Sequence, residues 1–388
     1  MTGGLGFIGS AVVSAAAAEG WHVTVLDAVV PASVPGSLPD GVMAVRGDAG
    51  DPAALERVLP GTDVVCHLAA KVGLELGMAD APAYVGQNGL ATAQLVAAMA
   101  HHGVCGLVLA SSMVVYGEGT YVHPADSRPV RPAPRRERDL AAGLFDPRDA
   151  HDGEVLLPAL TTEDAPTDPR SVYALTKLAQ EHLVAAWARS TGGTAIALRY
   201  HNVYGPGLPR DTPYAGVAAL FASAVARCEA PLVFEDGRQR RSFVHVDDVA
   251  QATIAAIRAI AGSLAPGAGS RARVEGSLAR GEGPRALLKA SAAPGPAFRV
   301  FNVGGPSVQT ILDVAEAISA PAGIRPVVTG RYRAGDVRHI TASSAAITAE
   351  LGWHPRIGFA EGMRSLAESL VSVGRRRPPV AEGRGAGG

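Results

Sequence analysis

The stretch MTGGLGFIGS (residues 1–10) opens the chain and carries the spacing G-x-x-G-x-x-G at Gly3, Gly6 and Gly9. Such glycines let the backbone turn tightly between a buried strand and a helix, and they let it approach a pyrophosphate at the helix N-terminus. Only Met1 and Thr2 precede the run. We therefore expect the first strand of a sheet to be truncated here, with the natural start of the protein upstream.

Two aspartates follow later predicted strands and extend the pattern of a dinucleotide site. Asp27 ends VTVLD, about 20 residues beyond the glycines, where a carboxylate accepts the ribose hydroxyls and repels a 2′-phosphate. It therefore predicts NAD rather than NADP, although a turn residue at a strand end is the simpler alternative. Asp48 follows the next strand and could reach the adenine. Its alternative role is a helix N-cap, for which Asp51 is the better candidate.

Short apolar runs alternate with segments of helical periodicity through the first half of the chain. This alternation predicts an α/β fold with a Rossmann-type, doubly wound parallel sheet that binds ligands at the carboxyl ends of its strands. The predicted strands are 21–27, 42–48, 62–70, 105–112 and 194–205. The predicted helices are 9–20, 51–61, 89–103 and 172–193.

Three segments break this alternation. Residues 118–170 are rich in Pro, Asp and Arg with little periodicity, and they are too long for a simple connection, so they predict a surface insertion or lid. Residues 262–297 are dominated by Gly, Ala, Arg and Pro, and they predict disorder. The tail, residues 374–388, has a similar composition and carries the same prediction.

Composition excludes several classes of function. A formal net charge of −1 indicates no binding surface for nucleic acid or an anionic membrane, and no apolar run reaches the ~18 residues of a membrane span. Cys66, Cys105 and Cys228 are widely separated and lack metal-ligand spacing, so we predict no metal site. Cys66 and Cys105 lie in or beside apolar runs, which is typical of buried reduced thiols and predicts a cytoplasmic protein.

The stretch SVYALTK (residues 171–177) is the candidate catalytic element. Tyr173 and Lys177 stand at i and i+4, on one face of a predicted helix. A lysine ammonium and a nicotinamide cation would both favour phenolate, so we expect a lowered tyrosine pKa and a general base. Ser112, at the end of the strand CGLVLASS, would meet this phenol, and Ser111 is the adjacent candidate.

Taken together, these features resemble the extended short-chain dehydrogenase/reductases, in their nucleotide-sugar epimerase/dehydratase group, and most of all its dTDP-L-rhamnose 4-epimerase-like members. The matching stretches are TGGLGFIG (2–9), VLD (25–27), GD (47–48), HLAA (67–70), Asn88, SSMVVYG (111–117), YALTK (173–177), RYHNVYGP (199–206), RRSFVHVDDVA (240–250), FNVGG (301–305) and RAGD (333–336). The resemblance implies an NAD-binding Rossmann domain over residues 1–205, with the insertion at 118–170. It also implies a smaller, mainly substrate-binding region over 206–373.

The resemblance also implies roles for single residues. Ser112, Tyr173 and Lys177 would form the catalytic set. The cofactor would contact Gly3, Gly6, Phe7, Ile8, Gly9, Asp27, Asp48, Ala69, Asn88, Tyr173 and Lys177. A nucleoside-diphosphate sugar would contact Ser111, Asn202, Arg241 and Arg333, the two arginines bracketing its phosphates. Tyr200 and His201 could line the pocket or serve the structure. We further expect a homodimer.

The residues after Ser112 separate the reactions of this group. A 4,6-dehydratase carries Asp-Glu there, whereas Met113 and Val114 cannot shuttle protons. We find no extra acid and base for epimerisation at C3 or C5. Transient oxidation at C4, rotation of the 4-keto sugar and hydride return need only Tyr173 as base. The sequence therefore predicts an NAD-dependent 4-epimerase, an isomerase, acting on a dTDP-6-deoxyhexose.

Three alternatives stay open. One is an NDP-4-keto-6-deoxysugar reductase, against which Asp27 counts where NADPH is the donor. Another is a UDP-sugar 4-epimerase. The third is a non-catalytic NAD-binding sensor, which would not need the complete set of Ser112, Tyr173 and Lys177.

Overall fold

The computed structural model describes residues 1–29, 38–73, 77–209, 216–264 and 297–374. Its helices are α1 (Phe7–Ala18), α2 (Pro52–Val58), α3 (Ala81–Tyr84), a π-helical turn (Val85–Leu90), α4 (Ala91–His101), α5 (Glu137–Ala141), α6 (Val172–Thr191), α7 (Val217–Ala226), α8 (Val246–Ser263), α9 (Ile311–Ser319), α10 (Ala345–Leu351) and α11 (Phe359–Gly374). Short 3₁₀ turns lie at Met78–Asp80, Met113–Tyr116 and Ala320–Ala322.

The strands fall into one large parallel sheet and several smaller sheets. They are β1 (Val23–Asp27), β2 (Val42–Arg46), β3 (Val64–His67), β4 (Gly106–Ser112), β5 (Thr120–Val122), β6 (Pro129–Val130), β7 (Leu157–Ala159), β8 (Thr194–Tyr200), β9 (Asn202–Tyr204), β10 (Leu232–Val233), β11 (Arg240–His245), β12 (Phe298–Val303), β13 (Val308–Thr310) and β14 (Val327–Val328). The predicted strand 194–205 is interrupted at His201, so it forms β8 and β9.

The parallel sheet has the strand order β12-β8-β4-β3, and β1-β2 continues it beyond a narrow gap. Residues 1–3 fill this gap. Thr2 bridges to Leu26 on one side and to His67 on the other. The amide of Leu26 donates to the Met1 carbonyl at 2.8 Å, and the amide of Thr2 donates to the Cys66 carbonyl at 3.0 Å. The sheet is thus doubly wound as predicted, with a very short segment in place of its central strand.

Successive side chains of β4 point to opposite faces of the sheet, and each face is covered by its own set of helices. Leu107 and Leu109 face the core formed with α2, α4 and α6, whereas Val108 faces the core formed with α1 and α8. Each is fully buried, and burial of such a side chain contributes about 1.5–3 kcal/mol. The carboxyl end of β4, at Ser112, is therefore held between two packed layers.

The C-terminal region contains a second layer of structure. Strands β13-β11-β9 form a small sheet, and helices α7, α9 and α11 pack into their own apolar cluster beside it. Two elements inside the predicted range 206–373 belong with the parallel sheet instead: β12 pairs with β8, and α8 packs on β4. The sheet that a strand joins depends on contacts with distant strands. The position of β12 and α8 in the sequence therefore does not show to which layer they belong.

The insertion predicted at 118–170 is a folded lobe with a small sheet of its own. Its strands β6-β5-β7 pair antiparallel, and Tyr121, Leu140 and Leu156 are buried in it. Short strands with few apolar residues gave too little periodicity to be predicted. Most of the segment 262–297 and nearly all of the tail 374–388 lie outside the described residues, while Gly262 and Ser263 end α8.

No helix in the described ranges is both long and apolar enough to cross a membrane. Cys66 is buried, Cys105 is half-buried and Cys228 is exposed, and all three are free thiols. Burial raises the pKa of Cys66 to about 12, so this thiol is inert as a nucleophile at neutral pH.

Candidate functional site

The glycine run forms the turn between Thr2 and α1. Gly3 has a φ of +68°, a conformation that glycine adopts without strain. A Cβ atom at Gly9 would lie 2.1 Å from the Gly3 carbonyl oxygen, so only glycine fits there. Phe7 begins α1, which has no side-chain cap and no acidic residue in its first turn. This uncapped N-terminus fits a pyrophosphate, because its amides and dipole favour an anion.

Asp27 lies beside this turn at the carboxyl end of β1. Its two carboxylate oxygens accept from the Leu5 amide at 3.0 Å and the Val29 amide at 3.1 Å. The carboxylate is therefore fixed within reach of the helix N-terminus, where a ribose would lie.

Asp48 is exposed and accepts from the Gly50 amide at 2.7 Å, which makes it a turn residue beside the proposed adenine position. Asp51 is the N-cap of α2, as predicted, since it accepts from the Ala53 amide at 3.0 Å. Ala69 follows β3, and its amide donates to the Thr2 hydroxyl at 3.2 Å. Its main chain lies against Gly3, where an added Cβ would be 2.6 Å from the Ala69 nitrogen.

Three candidate catalytic side chains converge at the carboxyl end of β4. Ser171 caps α6 through the Ala174 amide at 3.1 Å and so sets the first turn that carries Tyr173. Ser112, the last residue of β4, lies beside the Tyr173 phenol and lowers its pKa. One turn along α6, the Lys177 ammonium donates to the Ala110 carbonyl at 2.8 Å.

Without ligands, the pKa of Tyr173 is raised, whereas the sequence predicted a lowered value. Burial is the largest cause and raises the pKa of Tyr173 to about 12; the Ser112 hydrogen bond lowers it, and neighbouring Tyr84 raises it. Burial also lowers the pKa of Lys177 to about 8, against a smaller raising effect of Glu181. The expected lowering of the phenol pKa by Lys177 is therefore absent from the protein alone, because both groups are desolvated.

Asn88 links the cofactor side of the site to α6. Its side chain is fully buried, and it accepts from the Lys71 amide at 2.7 Å and donates to the Lys71 carbonyl at 3.0 Å. Its amide also donates to the Thr176 hydroxyl at 2.9 Å, between Tyr173 and Lys177 in α6. The predicted supporting role of Asn88 thus has a geometric basis, although sequence reasoning missed Thr176.

Ser111 does not face the site. It is 3% exposed, and its hydroxyl donates to Glu181 at 2.5 Å. Glu181 also accepts from the Arg199 guanidinium at 3.0 and 2.8 Å. Successive side chains of a strand point to opposite faces, so Ser112 and Ser111 cannot both reach a substrate. We therefore exclude Ser111 from the substrate contacts. Glu181 was missed, although its spacing of i+4 from Lys177 was a usable signal.

The candidate substrate residues lie in the C-terminal region and on β9. The Asn202 side-chain oxygen is buried without a hydrogen-bond partner among the described residues. Arg241 donates to main-chain carbonyls alone, and Arg333 is exposed with its guanidinium 5.0 Å from the Phe234 ring centroid. Within the described ranges neither arginine pairs with a carboxylate. Carboxylates act on the Arg241 guanidinium only through longer-range electrostatic interaction, from Glu118, Asp336 and Glu235.

Tyr200 is hydrogen-bonded within the core, whereas neither ring nitrogen of buried His201 has a hydrogen-bond partner among the described residues. The Tyr200 hydroxyl is hydrogen-bonded to Thr253 at 2.8 Å inside the core beneath α8. His201 is 4% exposed, and burial lowers its pKa to about 3, so its ring is neutral. The pocket-lining alternative for Tyr200 is not supported by these contacts.

Comparison with known proteins agrees with this arrangement. A statistical model of the NAD dependent epimerase/dehydratase family matches residues 1–137 and 152–268. The dTDP-L-rhamnose 4-epimerase of Burkholderia thailandensis is 33% identical over 376 residues, which cover 94% of this chain and 93% of that protein. The dTDP-glucose 4,6-dehydratase of Streptomyces niveus is 26% identical over 95% of this chain and 91% of that protein. A solved Thermus thermophilus UDP-glucose 4-epimerase complex with NAD has a TM-score of 0.67 and 27% identity, covering 95% and 97% of the two chains.

Proposed function

This chain belongs to the NAD-dependent epimerase/dehydratase family, and from this premise we propose that it is a nucleotide-sugar 4-epimerase acting on a dTDP-6-deoxyhexose. NAD is its cofactor, as in the solved Thermus relative. The observation that carries the proposal is the convergence of Ser112, Tyr173 and Lys177 at the end of β4.

Each of the three side chains has a separate task in this reaction. NAD, held at the turn of Gly3, Gly6 and Gly9 beside Asp27, would supply a reversible hydride acceptor for C4. Tyr173 takes the proton of the C4 hydroxyl and returns it once the 4-keto sugar has turned over. Ser112, beside the phenol, donates to its oxygen or accepts from it and so orients it. Lys177, fixed on the Ala110 carbonyl, places a positive charge one helical turn from the phenol, which favours phenolate when the site is charged by its ligands.

The residues after Ser112 support epimerisation over dehydration. Met113 and Val114 lie in the 3₁₀ turn that follows β4, and neither carries an ionisable group. One base is sufficient for oxidation and reduction at the same carbon. A reductase or a UDP-sugar 4-epimerase would use the same three residues, so these alternatives are distinguished by substrate and cofactor balance.

The test is incubation of the purified protein with a panel of dTDP- and UDP-sugars, followed by separation of the products. Added cofactor is omitted in one series, and NADH or NADPH is supplied in another. We expect a 4-epimer of a dTDP-6-deoxyhexose without added cofactor. Product formation that depends on stoichiometric NADH or NADPH would establish the reductase instead.

The predicted preference for NAD depends on Asp27. Its carboxylate is fixed beside the α1 N-terminus, so the 2′-phosphate of NADP would meet a like charge. Replacing Asp27→Ala should reduce the ratio of NAD to NADP affinity by about tenfold or more. Titration of both nucleotides into each variant measures this ratio. Asp48→Ala is the control, because Asp48 is proposed to lie near the adenine, which the two cofactors share. An equal change of the affinity ratio in both variants would contradict the role of Asp27.

The nucleoside-diphosphate sugar is proposed to lie between the catalytic set and the C-terminal region. Asn202 supplies a buried amide oxygen that lacks a partner among the described residues, and Arg241 and Arg333 supply charge for the two phosphates. We retain the division into a cofactor domain over 1–205 and a mainly substrate-binding region over 206–373 as part of this proposal. β12 and α8 then contribute to the cofactor domain.

We further propose a homodimer. Val85 and Leu90, in the π-helical turn, are 52% and 57% exposed, and Leu175 on the adjoining α6 is 54% exposed. Exposed apolar residues on neighbouring helices are typical of a self-association surface. Sedimentation should give twice the mass of one chain, and Leu175→Glu should shift the protein to the monomer. A monomeric wild-type protein would contradict this proposal.

A cytoplasmic location completes the proposal. Cys66, Cys105 and Cys228 are free thiols, and Cys228 is exposed. An exposed free thiol persists in a reducing compartment.

A further inference from the structure

Residues 336–340, here called the strap, belong to the C-terminal region and contact the insertion. The strap fixes Arg241. The guanidinium of Arg241 donates to the carbonyls of Val337 at 2.6 Å and Arg338 at 2.9 Å, and also to the carbonyl of Arg240 at 2.8 Å. Carbonyl acceptors hold a guanidinium in place without neutralising its charge. The position of this cation is therefore set by the backbone of the strap.

The strap is itself fixed by Arg338, whose side chain is fully buried. Its guanidinium donates to Asp146 at 2.8 Å, to Glu235 at 2.8 Å and to Asp236 at 2.7 and 3.0 Å. The amides of Arg338 and His339 both donate to Glu118, at 2.9 and 3.0 Å. Asp146 and Glu118 belong to the insertion, so the insertion supplies part of the frame that holds the strap.

Arg135, also in the insertion, adds a second connection. It donates to Glu235 at 2.7 Å, to the Phe145 carbonyl at 3.1 Å and to the Asp336 carbonyl at 2.6 Å, and its side chain is 8% exposed. One planar guanidinium therefore joins three segments. They are the insertion, the connection between β10 and β11 that contains Glu235, and the first residue of the strap. A lysine at this position could keep the ion pair but not all three bonds.

We propose that the insertion is the positioning arm of the diphosphate site, and that Arg135 and Asp146 act on the substrate by fixing the strap and thereby Arg241. This inference rests on the proposed function. Carboxylates of the cluster pair directly with Arg135 and Arg338, whereas Arg241 donates to carbonyls and feels Glu118, Asp336 and Glu235 only at longer range. Because the arginine is already held in place, binding of a diphosphate does not have to order it.

The experiment compares dTDP with thymidine, which lacks the phosphates, on the full-length protein. Calorimetric titration gives the affinity for each, and steady-state kinetics give KM and kcat for the nucleotide sugar. Arg135→Ala should weaken dTDP binding and raise KM by about tenfold or more. Thymidine affinity, NAD content and kcat should each change by less than about threefold. Arg135→Lys should recover part of the dTDP affinity. Asp146→Asn, which keeps the side-chain volume, should weaken dTDP in the same selective way.

Arg128→Ala is the matched control, since Arg128 pairs with Asp149 inside the same insertion and does not contact the strap. It should leave dTDP affinity unchanged. Equal losses of dTDP and thymidine affinity in the Arg135 and Asp146 variants, or equal effects in Arg128→Ala, would overturn the positioning role. Wild-type protein that binds dTDP no more tightly than thymidine would instead overturn the proposed function.

Discussion

Replacing Tyr173→Phe is expected to lower kcat by about 10²–10⁴-fold, the usual contribution of a positioned general base. The phenol is the group that Ser112 orients and that Lys177 approaches from one turn along α6. Removing its oxygen leaves the ring packed beside Tyr84, with the ring centroids 6.1 Å apart in the wild-type protein. The fold and the bound NAD should therefore be retained, and turnover alone should fall.

Single-turnover and steady-state rates with the substrate found in the panel measure this effect. Tyr200→Phe is the matched control, because it also removes one buried tyrosine hydroxyl, here bonded to Thr253 beneath α8. That variant should lose stability by about 0.5–1.5 kcal/mol and keep its kcat. A Tyr173→Phe protein with a tenth of wild-type activity would rule out Tyr173 as the base.

The second large effect is on stability. Glu181→Gln should reduce the free energy of unfolding by about 3–5 kcal/mol, since it leaves the Arg199 guanidinium buried without its counter-charge. The two side chains are 4% and 6% exposed and share two hydrogen bonds, and Ser111 donates to the same carboxylate. Ser111 precedes Ser112 on β4, so loss of this network should also weaken the catalytic geometry.

Chemical denaturation measures the change, with Glu350→Gln as the control. Glu350 pairs with Arg299 at 2.8 Å on the surface, where its side chain is 48% exposed. Surface pairs of this kind contribute about 0–1 kcal/mol. If both variants lose the same small part of the free energy of unfolding, the buried network is not a determinant of stability.

Much of the parallel sheet could be predicted from the sequence, because its strands and helices carry strong periodicity. The alternation along β4 and the i, i+4 pair of Tyr173 and Lys177 are local properties, and the structure has both. The N-cap at Asp51 is also local. Asp27 and the family resemblance both predicted NAD, whereas the order of the strands comes from the structure.

The remaining features depend on contacts between distant parts of the chain. The folded insertion is stabilised by pairing of β6, β5 and β7 and by Arg338, which is far from it in sequence. The role of Ser111 depends on the face of β4 to which its side chain points. Its position next to Ser112 in the sequence does not show which face that is. The raised pKa of Tyr173 follows from burial, which is a property of the packed protein.

In the epimerisation, one hydride leaves C4 and returns to the same carbon on the opposite face. The most direct measurement incubates, without added cofactor, a dTDP-6-deoxyhexose deuterated at C4 in ordinary water and the unlabelled sugar in D₂O. Both products are analysed by NMR and mass spectrometry. We predict a 4-epimer that keeps its deuterium at C4 and gains none of the solvent hydrogen at any carbon. Loss of the label to solvent, or exchange at C3 or C5, would contradict the account, because either result requires an enolate and a base that the site does not supply.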